Sequence, residues 1–448
     1  MRLLMMVCAC GAVACGSPDT DPEFGSLEEQ PGASGAGGSS GVAAAGGAGN
    51  AGSAVGDGGA AAAGGSEDAG PGCNRACDTP PAAHCLDAVT LRAYVDAGHC
   101  SPTGCQYEPI DSVCGQGCKA GACQPCTEET LVVDAAGDVG ASPAIASATD
   151  GTLTIAYRDV ANKKLKIASR VASGEFSIKE LDASNAGGTS LQADGDALSL
   201  FYQGSASPKL ALKAPGGAFS MQSAKLGAMP STHLVHAAGV EVFTALNGSV
   251  QHATWSSDWV AQAALTIGTT GCSVKPGVMA AARDSKGGLH AVARCGLSRM
   301  PLYAHRPAGG SWSSQTLDST GGDHVAILVD DGDTVYVAYR KDVASKLMIA
   351  SPSFLGGGIL PKAVGEGGQY VTLARGRSGV SHAIYMKNWG QLAHAIHKPG
   401  QTGWSEVGLL DAHHAGETAS TTDAEGVVHV AYRATQAKDL KYTRICPE

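Results

Sequence analysis

His429-Val430-Ala431-Tyr432-Arg433, six residues, then Leu440-Lys441-Tyr442: this pattern decides the fold, because versions of it recur seven times along the chain. Its second part returns at Leu165, Leu210, Val250, Leu302, Leu347, Leu392 and Leu440, at spacings of 40 to 52 residues. Its first part returns at 154–158, 199–203, 240–244, 290–294, 336–340, 382–386 and 429–433. A turn containing glycine stands before each first part, as in Asp150-Gly151, Asp331-Gly332 and Glu425-Gly426. An aromatic residue follows six of the second parts and opens a further strand-like run: Phe176, Phe219, Trp259, Trp312, Phe354 and Trp404. Apolar side chains alternate within these parts and no 3.6-residue period persists, so strands are predicted and helices are not.

Four short strands per roughly 45 residues, separated by polar turns, is the period of a β-propeller blade. The chain is therefore predicted to be all-β, with a seven-bladed β-propeller of four-stranded blades over 126–446. The blades resemble the degenerate propeller repeats of bacterial surface proteins, and they lack the Trp-Asp dipeptide of WD40 blades. Ring closure is predicted as well. The seventh copy ends at Arg444-Ile445-Cys446 without an outer strand of its own, whereas residues 127–134 match the outer-strand ending Glu180-Leu181-Asp182. The earlier segment is expected to complete the last blade. That places Cys126 and Cys446 at the same end of adjacent strands, where a disulfide locks the ring.

The 448 residues carry a net charge of −10 and only 16% charged side chains, with Lys and Arg scattered singly. Such a chain lacks the concentrated basic patch of a nucleic-acid binder. Fifteen cysteines suit an oxidising compartment rather than a reducing cytosol. Residues 1–15 form an apolar, Cys- and Ala-rich leader ending Ala12-Val13-Ala14-Cys15. It resembles a bacterial lipoprotein signal, which implies export, acylation of Cys15, and a lipid-anchored place at the outer membrane or cell surface. No other apolar run approaches the ~20 residues that span a bilayer. Residues 16–72, mostly Gly, Ala and Ser, bury nothing and are expected to be a disordered stalk with a reach on the order of 40 Å.

Residues 73–125 form a distinct module. Nine cysteines stand from Cys73 to Cys126 among turn residues and few large apolar side chains. So small a core has to be stapled, by disulfides or by metal. Cys114-x3-Cys118 and Cys123-x2-Cys126 have zinc-like gaps, but disulfides are expected in an exported chain. Tyr94 … Cys100 … Cys105-Gln106-Tyr107 … Cys114 … Cys118-Lys119-Ala120-Gly121-Ala122-Cys123 resembles the Cys-rich modules that precede repeat domains in myxobacterial surface proteins. That likeness implies a compartment and no activity. The pairing within the module stays open, and Cys123 is the alternative to Cys126 in the closure. Cys272 precedes the first strand of blade four and Cys295 ends its second, so these two are expected to pair.

Arg158, Arg294, Arg340 and Arg433 occupy one slot, the end of the second strand in blades one, four, five and seven. That end opens on the face carrying the second-to-third loops and the connections between blades. Four guanidiniums there suit carboxylates, sulfates or phosphates. The plainer reading pairs each Arg with a nearby aspartate, such as Asp159 or Asp342, to hold a loop. Trp389, in a second-to-third loop, adds an aromatic surface. His290, His382 and His429 share the start of the second strand, but their blades are not all adjacent, so no metal and no cofactor is expected. No nucleophile elbow, Ser–His–Asp set, carboxylate pair or phosphate loop stands out. The expected function is therefore non-catalytic binding of a protein or peptide at the loop face. Carbohydrate binding is the alternative, and a hydrolase or lyase assembled from several blades the third reading.

Overall fold

The computed structural model describes residues 77–447, apart from 115, 173, 184–186, 206, 225–229, 237–238, 247–248, 257–258, 262–273, 296–298, 343, 352–360, 388–389 and 414. The leader with Cys15, the stalk, Cys73, Cys272, Phe354 and Trp389 lie outside the described residues, as do the side chains of Trp259 and Cys295. The expected Cys272–Cys295 pair falls there too.

Seven four-stranded antiparallel sheets follow one another. Blade one runs from an inner strand, Ala141–Ser147, through Thr152–Asp159 and Lys164–Val171 to an outer strand, Ser177–Asp182. Blade seven takes Ala415–Thr422, Val428–Ala434 and Asp439–Ile445 from one end of the chain and Glu129–Asp134 from the other. Each inner strand packs on those of both neighbours, the seventh on the first. The fold is thus the seven-bladed propeller read from the repeats. The earlier segment closes it, and the Cys126–Cys446 disulfide spans 320 residues at the junction.

Burial explains the motifs. Seven apolar clusters fill the ring, one at each interface between adjacent blades. In blade one, Ile155 and Tyr157 pack toward blade seven while Ala156 packs toward blade two. A second strand covered on both sides reads as a nearly continuous apolar run. Alternation is kept in the outer strand Glu129–Asp134, whose residues are exposed and sheltered in turn.

A polar latch repeats between blades. Tyr157, Tyr202, Tyr339 and Tyr432 donate hydroxyl hydrogen bonds of 2.7, 2.7, 3.0 and 2.7 Å to Asp134, Asp182, Asp318 and Asp411. Each acid stands at or just past the end of the preceding blade's outer strand. A lysine shares each carboxylate: Lys166, Lys209, Lys341 and Lys441. Tyr385 uses Glu406 of its own blade, together with Lys387.

The Cys-rich module holds a small three-stranded sheet (His84–Cys85, Thr90–Tyr94, Pro109–Val113) and two short hairpins. Its described disulfides are Cys77–Cys105, Cys85–Cys118 and Cys114–Cys123, and Cys100 is disulfide-bonded as well. The cysteines with zinc-like gaps are all consumed in this way. Arg444 fastens the module to the ring: its guanidinium donates to the Thr127 carbonyl at 2.8 Å and to Gln116 Oε1. Arg444 also shares Glu129 with Arg170, whose buried guanidinium lies 4.7 Å from the Phe176 ring centre and 4.3 Å from that of Tyr442. A cavity of about 650 Å³ separates module residues Gln116 and Gln124 from the inner-to-second turns carrying Arg377 and Glu425.

Candidate functional site

Strand register fixes the two faces of the ring. Arg158 lies opposite Ala141 and Leu165, and Arg340 opposite Asp323 and Leu347. Second-strand ends therefore meet the first residues of inner strands on one face. The module sits against the other face, where the inner-to-second turns and the Cys126–Cys446 bridge lie. All seven inner strands carry a register irregularity. In blades one, five and six it puts Ser142, His324 and Tyr370 at φ of 47°, 51° and 49°. Bulges of this kind re-aim side chains, here around the mouth of the axial channel. The channel itself, about 260 Å³, is lined by inner-strand residues of every blade, with hydroxyls from Thr189, Thr232, Thr372 and Thr418.

Three of the four expected arginines are engaged by aspartates. Arg433 holds Asp138 at 2.6 Å, in the connection from blade seven to blade one. Arg294 and Arg340 converge on Asp323 at 3.8 and 3.5 Å. Arg340 also approaches Asp342 at 3.6 Å, which Arg299 meets at 3.2 Å. Arg158, half-buried, makes no ion pair among the described residues. The loop-holding role thus describes Arg294, Arg340 and Arg433, with partners at the start of an inner strand (Asp323), in the adjacent loop (Asp342) and in a blade connection (Asp138).

These contacts leave polar capacity unmet. The Nε atoms of Arg158, Arg294, Arg340 and Arg433 are all buried without a hydrogen-bond partner, as are Asp323 Oδ1 and Asp342 Oδ1. Buried polar atoms are ordinarily paired; those of Arg294, Arg340, Asp323 and Asp342 gather where blades four and five meet at this mouth, and those of Arg158 and Arg433 lie in blades one and seven. His324 and Tyr370 complete this mouth, their rings 4.6 Å apart. Burial pushes the His324 imidazolium below its ordinary value; Asp323 opposes this, while Arg340 and Arg294 add to it. The ring is therefore neutral near pH 7. Sequence reasoning passed over Asp323, His324 and Tyr370, although Gly321-Gly322-Asp323-His324 and Gly367-Gly368-Gln369-Tyr370 are aligned copies that carried the signal.

The histidines singled out from the sequence lie on the turn face, where His290 and His429 brace turns through Asp284 and Asp423. Asp423 Oδ1 accepts the backbone N–H groups of Glu425 and Val427, its Oδ2 lies 3.0 Å from His429 Nε2, and His429 Nδ1 lies 2.7 Å from the Tyr442 hydroxyl. His382 pairs with His394 at 2.8 Å.

No described protein family matches the sequence, and no curated protein sequence does. Solved structures do resemble the fold. A catalytically inactive virginiamycin B lyase from Staphylococcus aureus, solved with quinupristin, is 10% identical, covering 71% of this chain and 99% of that one at a TM-score of 0.50. A streptogramin B lyase is 11% identical over 70% and 97% of the two chains, with a TM-score of 0.49. The SapL1 lectin in complex with α-methyl fucoside is 12% identical over 61% and 98%, with a TM-score of 0.43. At these identities the likeness is one of fold. The disulfides belong to an exported protein, and no described helix is long and apolar enough to cross a membrane.

Proposed function

We propose that the chain is a non-catalytic recognition protein that binds a protein or peptide on the arginine-bearing face, at the mouth between blades four and five. One observation carries this reading: Arg294, Arg340, Asp323 and Asp342 converge there with both signs of charge at 3.5 to 3.8 Å, and the buried Nε atoms of the two arginines and Oδ1 atoms of the two aspartates lack hydrogen-bond partners. Peptide carboxylates and amides suit such a mixed set, because guanidinium and carboxylate groups make the stronger, charge-assisted hydrogen bonds. Arg158 supplies a further cation on the same face. The module covers part of the opposite face, so the arginine face is the one left open to a partner. A leader cleaved before Cys15, a lipid anchor and the Gly-, Ala- and Ser-rich stretch 16–72 present the ring at the outer membrane or cell surface, as in the myxobacterial-type surface proteins that the module resembles.

A displayed peptide library tests the reading. Selected peptides are expected to lose at least about tenfold in affinity, or ~1.4 kcal/mol, for a protein carrying Arg158→Ala and Arg340→Ala, with its unfolding midpoint preserved. Unchanged affinity would remove the site. A carbohydrate reading has its own observation: a cavity of about 420 Å³ between blades five and six lined by Trp404, Tyr336, His397, Lys362, Gln401 and Thr334. Glycan-array binding lost with Trp404→Ala, and kept in the arginine variant, would favour it.

A further inference from the structure

We propose that blade four carries a binding site for a first-row divalent metal, zinc in the first instance, formed by Asp284, His290 and His305. The three are the one group of three possible ligands among the described residues whose donor atoms all lie within 4.8 Å of one another. Asp284 Oδ2 and His290 Nε2 are 3.2 Å apart. Donors around tetrahedral zinc, with bonds of about 2.0–2.1 Å, stand roughly 3.3 Å apart, so this edge of the tetrahedron already exists. His305 faces His290 as its cross-strand partner, the rings stacked at 4.5 Å. It is half-buried near the strand end, and one of its ring nitrogens lies within 4.8 Å of the donor atoms of Asp284 and His290.

The surroundings match what a metal ligand needs. His290 Nδ1 lies 2.6 Å from the Tyr303 hydroxyl, the second-shell contact that fixes an imidazole's orientation. Asp284 Oδ1 accepts the N–H groups of Gly288 and Lys286 at 2.6 and 3.0 Å, so Oδ2 is the oxygen turned to the ring. Residue 288 has to be glycine for this, since a Cβ there would fall 2.3 Å from Asp284 Oδ2.

Blade seven supplies the internal comparison. It repeats the aspartate–histidine–tyrosine relay as Asp423, His429 and Tyr442. There the cross-strand partner of the histidine is Arg444, committed to Thr127 and Gln116. The relay by itself is thus a structural brace. His305 is what blade four adds, and it turns the brace into a set of two imidazoles and one carboxylate with a fourth position open to water. That donor set favours zinc over calcium or magnesium, which take oxygen ligands.

Zinc titration of the purified, chelator-treated full-length protein, read by competition with a chromophoric chelator, decides the matter. One equivalent is expected to bind, and His305→Ala, which leaves Asp284, His290 and Tyr303 in place, to weaken it at least about tenfold. His413→Ala, an exposed histidine elsewhere, is expected to leave the affinity unchanged. Unfolding midpoints of both variants without zinc show whether they are folded. Absence of saturable binding to the parent protein, or a His305→Ala affinity within tenfold of it, overturns the site.

Discussion

Tyr432 shows how single residues hold the ring. Its ring is buried, and its hydroxyl reaches out of blade seven to Asp411 of blade six, which Lys441 also grips. Replacing Asp411 with Ala strands a buried hydroxyl and an ammonium, and is expected to cost about 1–3 kcal/mol of unfolding free energy; denaturant titration reads this directly, and a change under about 0.5 kcal/mol would count against the latch. The same groups set the acid limb of stability. Burial acts against the charged forms of Asp134, Asp318, Glu406 and Asp411, but hydrogen bonds from backbone, tyrosine and lysine outweigh it and hold all four below the ordinary carboxylate range. Depressed folded-state values mean that the stabilisation is complete above the unfolded value near pH 4 and is lost as pH falls through the lower, folded one. The thermal midpoint is therefore expected to hold down to about pH 5 and to drop below about pH 4. A midpoint that starts falling near pH 6 would point to histidines instead.

At the scale of the strand, glycine marks the places where the chain enters a blade. Gly140 leads into the first inner strand at φ of 84°, and a Cβ on it would lie 2.9 Å from the Cα of Leu440 in the closing blade. Gly140→Ala is expected to destabilise the ring by about 1–3 kcal/mol through backbone strain and that contact; Gly216→Ala, where a Cβ meets nothing within 4 Å, controls for the effect of positive φ alone. The strands themselves were legible because burial on both faces forces runs such as 155–157 to be apolar at successive positions, and the repeat then shows where each run starts. The closing strand was legible for a different reason: Thr443 pairs with Thr130 and Leu440 with Asp134 in the register that Leu165 shares with Asp182. The site was legible only in half. Repeat position placed Arg158, Arg294, Arg340 and Arg433 on one face, but the aspartates that hold the last three lie at an inner-strand bulge, in the adjacent loop and in a blade connection. An inserted residue such as His324 breaks the alternation from which a partner across the strand is read. The donor set of blade four was missed for a related reason. The histidines were compared from blade to blade, whereas His305 joins His290 from the next strand of the same blade.

The propeller is a ring whose closure depends on residues far apart in sequence, with Glu129 shared between Arg170 and Arg444 at the joint. The Cys126–Cys446 bridge holds that joint, and a link across so long a loop stabilises by about 2–5 kcal/mol. Cys446→Ser is expected to lower the thermal midpoint by roughly 3–8 °C, with blade seven opening first by hydrogen exchange. The arrangement also orients function: the module is fastened to the turn face, so the arginine face and the axial channel mouth are presented together on the other side. Peptide mass spectrometry of the non-reduced protein tests the closed ring most directly. A fragment joining Cys126 to Cys446, beside Cys85–Cys118 and Cys114–Cys123, is the predicted result. Free thiols at Cys126 and Cys446, or Cys126 bonded within the module, would contradict the closure and the blade register built on it.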